Sequence, residues 1–153
     1  MRIEGNATLP ANSERVYALL LDPIVLAACI PGCQELIADG EGVYKMKMKV
    51  VIAAVSGDFV GKVSIEDPSP PNSYRLRIDG NGRIGIIKGV GDLKLATAEG
   101  GGTTVSYEGD AQVGGTIAAV GQRLLDTTAR MMIRRFFDNL TKAVTNGHGP
   151  AVS

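Results

Sequence analysis

The chain has 153 residues, enough for one domain with a single core. Lys plus Arg is 16 and Asp plus Glu is 16, so there is none of the basic excess that marks a dedicated nucleic-acid binder. With 44% hydrophobic and 21% charged residues the chain is globular rather than disordered.

Residues 2–9 alternate, with Ile3, Gly5, Ala7 and Leu9 on one side, and read as a half-buried strand. Asn12 or Ser13 caps a helix carrying Val16, Leu19 and Leu20. Pro23 suits the first turn of a second short helix, 23–29, because its missing N–H is not needed there. Strands are predicted at 34–40 and 42–50, joined by Asp39-Gly-Glu-Gly42. In the second of these, Tyr44, Met46, Met48 and Val50 oppose Lys45, Lys47 and Lys49. A longer strand follows at 51–66, then a proline-rich loop at 67–72 and strands at 74–79, 83–97 and 103–113. Gly89 and Gly91 let their strand bend or keep side chains out of a cavity.

Residues 116–144 hold no proline and one glycine, and predict one amphipathic helix capped by Thr116, about 43 Å long at 1.5 Å per residue. Its apolar stripe runs through Ile117, Gly121, Leu124, Leu125, Thr128, Met132 and Phe136. Arg123, Arg130 and Arg134 lie opposite, with Asp126–Arg130 and Arg134–Asp138 as i,i+4 pairs. Residues 146–153 read as a flexible tail and 1–145 as the domain. Strand, two short helices, six strands and a long helix describe an α+β, helix-grip architecture: a curved antiparallel seven-stranded sheet wrapped around the C-terminal helix.

Four segments then carry a family resemblance: Ile30-Pro-Gly-Cys-Gln-Glu-Leu36, Tyr44-Lys-Met-Lys-Met48, Gly114-Gly-Thr-Ile-Ala-Ala-Val-Gly-Gln-Arg-Leu-Leu125 and Phe136-Phe-Asp-Asn-Leu140. Together they resemble the G-subunit family of carbon monoxide dehydrogenase, part of the START-like (SRPBCC) helix-grip superfamily, over roughly residues 1–145. The resemblance implies a non-catalytic accessory protein. It would hold a lipophilic small molecule, quinone in particular, in an apolar pocket, and assist a molybdenum hydroxylase such as carbon monoxide dehydrogenase at the membrane. Some members continue into a membrane-associating segment; this sequence ends at Ser153, so a pocket domain is the expectation here.

The expected cavity lining is Tyr44, Met46, Met48, Phe59, Leu76, Ile78, Ile84, Ile86, Val105 and Tyr107 from the sheet, facing Val120, Leu124, Leu125, Met132 and Phe136 from the helix. An ordinary packed core is the alternative. The absence of Trp, the three Phe and the central methionines favour a cavity that adapts to a ligand. Pro31, Gly32 and Cys33, with Gly114 and Gly115, are expected at its mouth. The two glycines either leave N–H groups for a polar head group or simply make a tight turn.

Other chemistry finds little support. The single histidine, His148, lies near the end of the chain, and Cys29 and Cys33 lack the further ligands of a zinc site. No catalytic residue, metal or resident cofactor is expected. The glycine-rich stretches lack the strand–loop–helix context of a phosphate loop. Two cysteines without a signal peptide indicate a cytoplasmic protein, in peripheral contact with the inner face of the membrane at most. A cyclase or hydrolase on the same fold would need paired polar groups inside the cavity. An adaptor without a small ligand would have a filled interior.

Overall fold

Asn12 and Asp22 open the two short helices. Asn12 Oδ1 accepts from the Arg15 N–H at 2.9 Å and Asp22 Oδ1 from the Ile24 N–H at 2.8 Å, each satisfying a donor the helix leaves free. In the computed structural model, which describes residues 1–146, β1 (Arg2–Leu9) leads to α1 (Ser13–Leu20) and α2 (Pro23–Cys29). Six strands follow: β2 (Cys33–Ala38), β3 (Val43–Ile52), β4 (Val55–Ser69), β5 (Ser73–Gly82), β6 (Gly85–Thr97) and β7 (Thr103–Gly114). The chain then makes a 3-10 turn (Thr116–Val120) and ends in α3 (Gln122–Thr145). His148 and most of the expected tail lie outside the described residues.

The strands form one antiparallel sheet in the order β1-β7-β6-β5-β4-β3-β2. Strands β2 to β7 are a meander of short connections, and β1 closes onto β7 with Arg2 opposite Asp110 and Leu9 opposite Thr103. The outer face carries the charges. Arg2 reaches Glu108 at 3.0 Å, Arg75 reaches Asp92 at 3.0 Å and Arg77 reaches Glu66 at 2.9 Å. Such exposed pairs hold cross-strand register more than they add stability.

Strand β4 runs on to Ser69, into the expected loop, and β5 to Gly82, and three further boundaries depart from the sequence expectation. The expected strand at 51–66 is cut by a tight hairpin at Ala53-Ala54, with Ile52 opposite Val55. Ala53 takes φ 54, a conformation usually signalled by Gly or Asn, so the turn carries no sequence mark. Strand β6 starts at Gly85 rather than 83. Gly85 adopts φ 144, and the alternation counted from Ile84 does not run through it. The long helix is broken. Gly121 sits at φ 98, ψ 152, so Thr116–Val120 form a separate 3-10 turn and α3 is 24 residues, about 36 Å. Asp126 accepts from Gln122 Nε2 at 2.9 Å, and among the described residues neither expected i,i+4 ion pair forms.

The interior consists of two separate cores. The larger packs Leu9, Val16, Leu19, Val105, Leu140 and Val144 among the short helices, the β1–β7 end of the sheet and the C-terminal half of α3. The smaller gathers Val50, Ile52, Phe59, Ile117 and Leu125 below the start of α3. Polar contacts tie the helices in place. Asn139 Nδ2 donates to the Cys29 carbonyl at 2.9 Å, fastening α3 to the end of α2. Thr103 is fully buried, and its hydroxyl donates to the Ala11 carbonyl at 2.7 Å, linking the head of β7 to the turn before α1. Thr103→Val keeps the shape and leaves that carbonyl unpaired. It should cost about 1–3 kcal/mol in urea unfolding with the fold retained.

Candidate functional site

Between the two cores the sheet and α3 leave a gap. The gap is a partly open cavity of about 380 Å³, within the range of about 300–1,000 Å³ common for small-molecule pockets. Its floor is the inward face of the sheet: Tyr44, Met46 and Met48 of β3, Val63 and Ile65 of β4, Tyr74, Leu76 and Ile78 of β5, and Tyr107 of β7. Its roof is Met132, Ile133, Phe136 and Phe137 of α3, and one side is Leu26, Ile30 and Pro31 around the end of α2. Asp92, Glu108 and Asp110 border it by backbone, since their carboxylates pair with Arg75 and Arg2 on the outer face.

Glycines keep the centre open. Gly89, Gly91 and Gly109 line the cavity where other strands place Leu, Ile or Met. Gly91 lies opposite Gly109 in the β6–β7 ladder. A Cβ on Gly109 would collide with the Val90 carbonyl and come within 2.8 Å of the Gly91 Cα, so the strands are bent together here.

The expected residues divide. Tyr44, Met46, Met48, Leu76, Ile78, Tyr107, Met132, Phe136 and Pro31 line the cavity. Phe59 and Leu125 are instead buried in the smaller core, with Ile84 and Val120 packed against it, because the chain turns at Gly85 and breaks at Gly121. Val105 faces inward but is fully covered in the larger core. Ile86 and Leu124 point outward at 46% and 41% exposure, since both were counted in a phase the two glycines interrupt. Gly32, Cys33, Gly114 and Gly115 are not at the cavity. Gly32 is clamped on β3, accepting the Lys49 N–H at 2.9 Å. Gly115, at φ 88, makes the tight turn, and the N–H groups that follow are satisfied internally, Ile117 on Ile84 and Ala118 on Gly115. The sequence reading left out Tyr74, Val63, Ile65, Ile133 and Phe137. Tyr74 had a signal, because it alternates with Leu76 and Ile78.

Three tyrosines supply the polar side chains of the lining. Tyr44 donates to the Leu21 carbonyl at 2.6 Å. Tyr107 stacks on Phe137 with centroids 5.6 Å apart. Tyr74 stands edge-on to Tyr17 at 5.7 Å. Burial pushes all three phenols up, Tyr74 furthest, so they are neutral donors at physiological pH. Among the described residues no group of His, Cys, Asp and Glu is placed to hold a metal ion, and no helix is long and apolar enough to cross a membrane.

The model of the carbon monoxide dehydrogenase G-subunit family, CoxG, matches residues 5–145. The chain belongs to that family. A conserved protein from Geobacillus kaustophilus is 34% identical over 97% of this chain and 98% of its own, with TM-score 0.91. A structure from Thermus thermophilus superposes with TM-score 0.71 at 17% identity, covering 97% of this chain and 100% of its own. The Zhui aromatase/cyclase from Streptomyces gives 0.60 at 15% identity, covering 94% and 90%. The last two likenesses are of fold, and that fold is the helix grip. No curated protein matches this chain significantly.

Gly109→Ala should cost about 1–3 kcal/mol, because backbone must move to admit the methyl. Gly89→Ala should be tolerated, since its nearest neighbour would be an ordinary 3.5 Å away; parallel denaturant titrations compare the two. Cys29 and Cys33 both have thiols raised by burial. Alkylation by iodoacetamide near neutral pH should therefore be slower than for a free thiol and rise only above the ordinary thiol range, with half-buried Cys33 reacting before buried Cys29.

Proposed function

We propose that this chain is a non-catalytic carrier that takes up a lipophilic molecule, quinone in particular, and serves a molybdenum hydroxylase of the carbon monoxide dehydrogenase type at the membrane surface. One observation carries the reading: in a member of the CoxG family, the space between sheet and helix is an open apolar cavity, not a packed core. Transfer of a ligand's apolar surface into it is worth about 25 cal/mol per Å², or roughly 5 kcal/mol for 200 Å². Methionines at Met46, Met48 and Met132 let the walls adjust to ligand shape. The volume accommodates a ring system, and the open side leaves room for a chain to continue outward. The lining offers tyrosine hydroxyls but no inward pair of carboxylates for acid–base chemistry, which favours carriage over turnover. An unfilled interior likewise favours a ligand carrier over a plain adaptor.

Native mass spectrometry of protein from a quinone-containing host tests the reading, with a lipophile adduct as the expected result. Met46→Trp should fill the cavity, abolish the adduct and leave the protein folded. Strong destabilisation by Met46→Trp, with no adduct on the parent protein, would refute the reading.

A further inference from the structure

The cavity wall is hydrocarbon apart from its tyrosines, and two of these, Tyr44 and Tyr74, lie near Tyr17, which is not itself part of the lining. Two of their hydroxyls are already committed to backbone carbonyls: Tyr17 donates to Ser73 at 3.1 Å and Tyr44 to Leu21 at 2.6 Å. The third, Tyr74, has no hydrogen-bond partner among the described residues, although the side chain is only 5% exposed. Its ring lines the cavity and is held edge-on by Tyr17 at 87°. Arg15 Nε is the one fully enclosed side-chain polar atom left without a partner among the described residues. The Tyr74 oxygen therefore keeps some accessible surface, and the open space that its residue lines is the cavity. The remaining tyrosine of the lining, Tyr107, has no hydrogen-bond partner among the described residues either, but it stands apart with its hydroxyl over Gly5 of β1 and is only half-buried, where Tyr74 is buried.

A buried hydroxyl without a partner is costly, so such groups are rarely left unmatched. An ordered water is a poor match, since it needs two to four polar partners and the surrounding wall is hydrocarbon. We propose that the Tyr74 hydroxyl is the polar anchor of this cavity, donating a hydrogen bond to a neutral acceptor oxygen, a carbonyl above all, on the buried end of the bound lipophile. A carboxylate fits badly. No arginine or lysine is among the residues that line the cavity, and Arg15, the one with a buried Nε, donates from its Nη2 to the Val144 carbonyl at 3.3 Å, so no lining cation neutralises a buried anion. Burial of Tyr74 also keeps the phenol protonated, as a donor must be. The anchor thus orients a ligand that hydrophobic contact alone would leave free to slide or reverse. This inference rests on the carrier reading above and adds selectivity to it.

The test compares two probes of like shape: menadione, which carries ring carbonyls, and methylnaphthalene, its hydrocarbon counterpart. Each is titrated calorimetrically into the parent protein and into Tyr74→Phe. Tyr74→Phe should weaken menadione by about tenfold and leave methylnaphthalene unchanged or slightly tighter. In the parent complex the infrared carbonyl stretch of menadione should shift below its value in an apolar solvent, a reading that does not depend on the variant folding. Equal effects on both probes, or an unshifted stretch, overturn the anchor while the carrier reading stands. Failure of the parent protein to bind either probe overturns the carrier reading and the anchor with it.

Discussion

The structure depends on how closely neighbouring strands approach at paired glycines. Gly61 faces Gly80 across β4 and β5, and Gly91 faces Gly109 across β6 and β7. At Gly61 and Gly109 a Cβ would overlap the neighbouring backbone, so the sheet bends at places other residues would hold flatter. Bending gives the sheet a concave face, and a single helix lies across it. One helix does not fill such a trough along its whole length. The chain fills both ends with separate cores and leaves the middle to methionines, tyrosines and bare backbone.

The two cores hold the ends of the trough and share part of the cavity wall, with Tyr74 and Phe137 belonging to the larger one. Leu9, Val16, Val105 and Leu140 hold the short helices and α3 at one end, and Val50, Phe59, Ile117 and Leu125 hold the hairpins at the other. The polar groups near the cavity are divided too. Tyr17 and Tyr44 brace backbone carbonyls, the carboxylates next to the lining turn outward to arginines, and the buried Tyr74 phenol has no partner among the described residues.

Much of this was legible in the residues. Alternation at Tyr44–Val50 and Tyr74–Ile78 announced which strand faces turn inward, because a period of two has one reading on a pleated sheet. Asn12, Asp22 and Pro23 announced two helix starts by local hydrogen bonding and fixed φ alone. Five of the misplaced residues share a cause. Phe59, Ile84, Ile86, Val120 and Leu124 lie around the turns at Ala53-Ala54, Gly85 and Gly121, where backbone conformation resets the phase of the pattern. Gly121 is compatible with a helix interior at modest cost, so sequence periodicity alone runs through it.

The sequence by itself determined the order of elements, the inward faces of most strands and family membership, all of which rest on local periodicity and short motifs. The tertiary structure decided where the interior is filled and where it is hollow. That depends on sheet curvature, on the break before α3 and on which side chains from distant strands meet. It also decided that Tyr17 and Tyr44, two of the four tyrosines in the chain, spend their hydroxyls on backbone carbonyls, while the buried Tyr74 has no such partner among the described residues. Hydrogen-bond partners are set by three-dimensional proximity, which no stretch of residues specifies on its own.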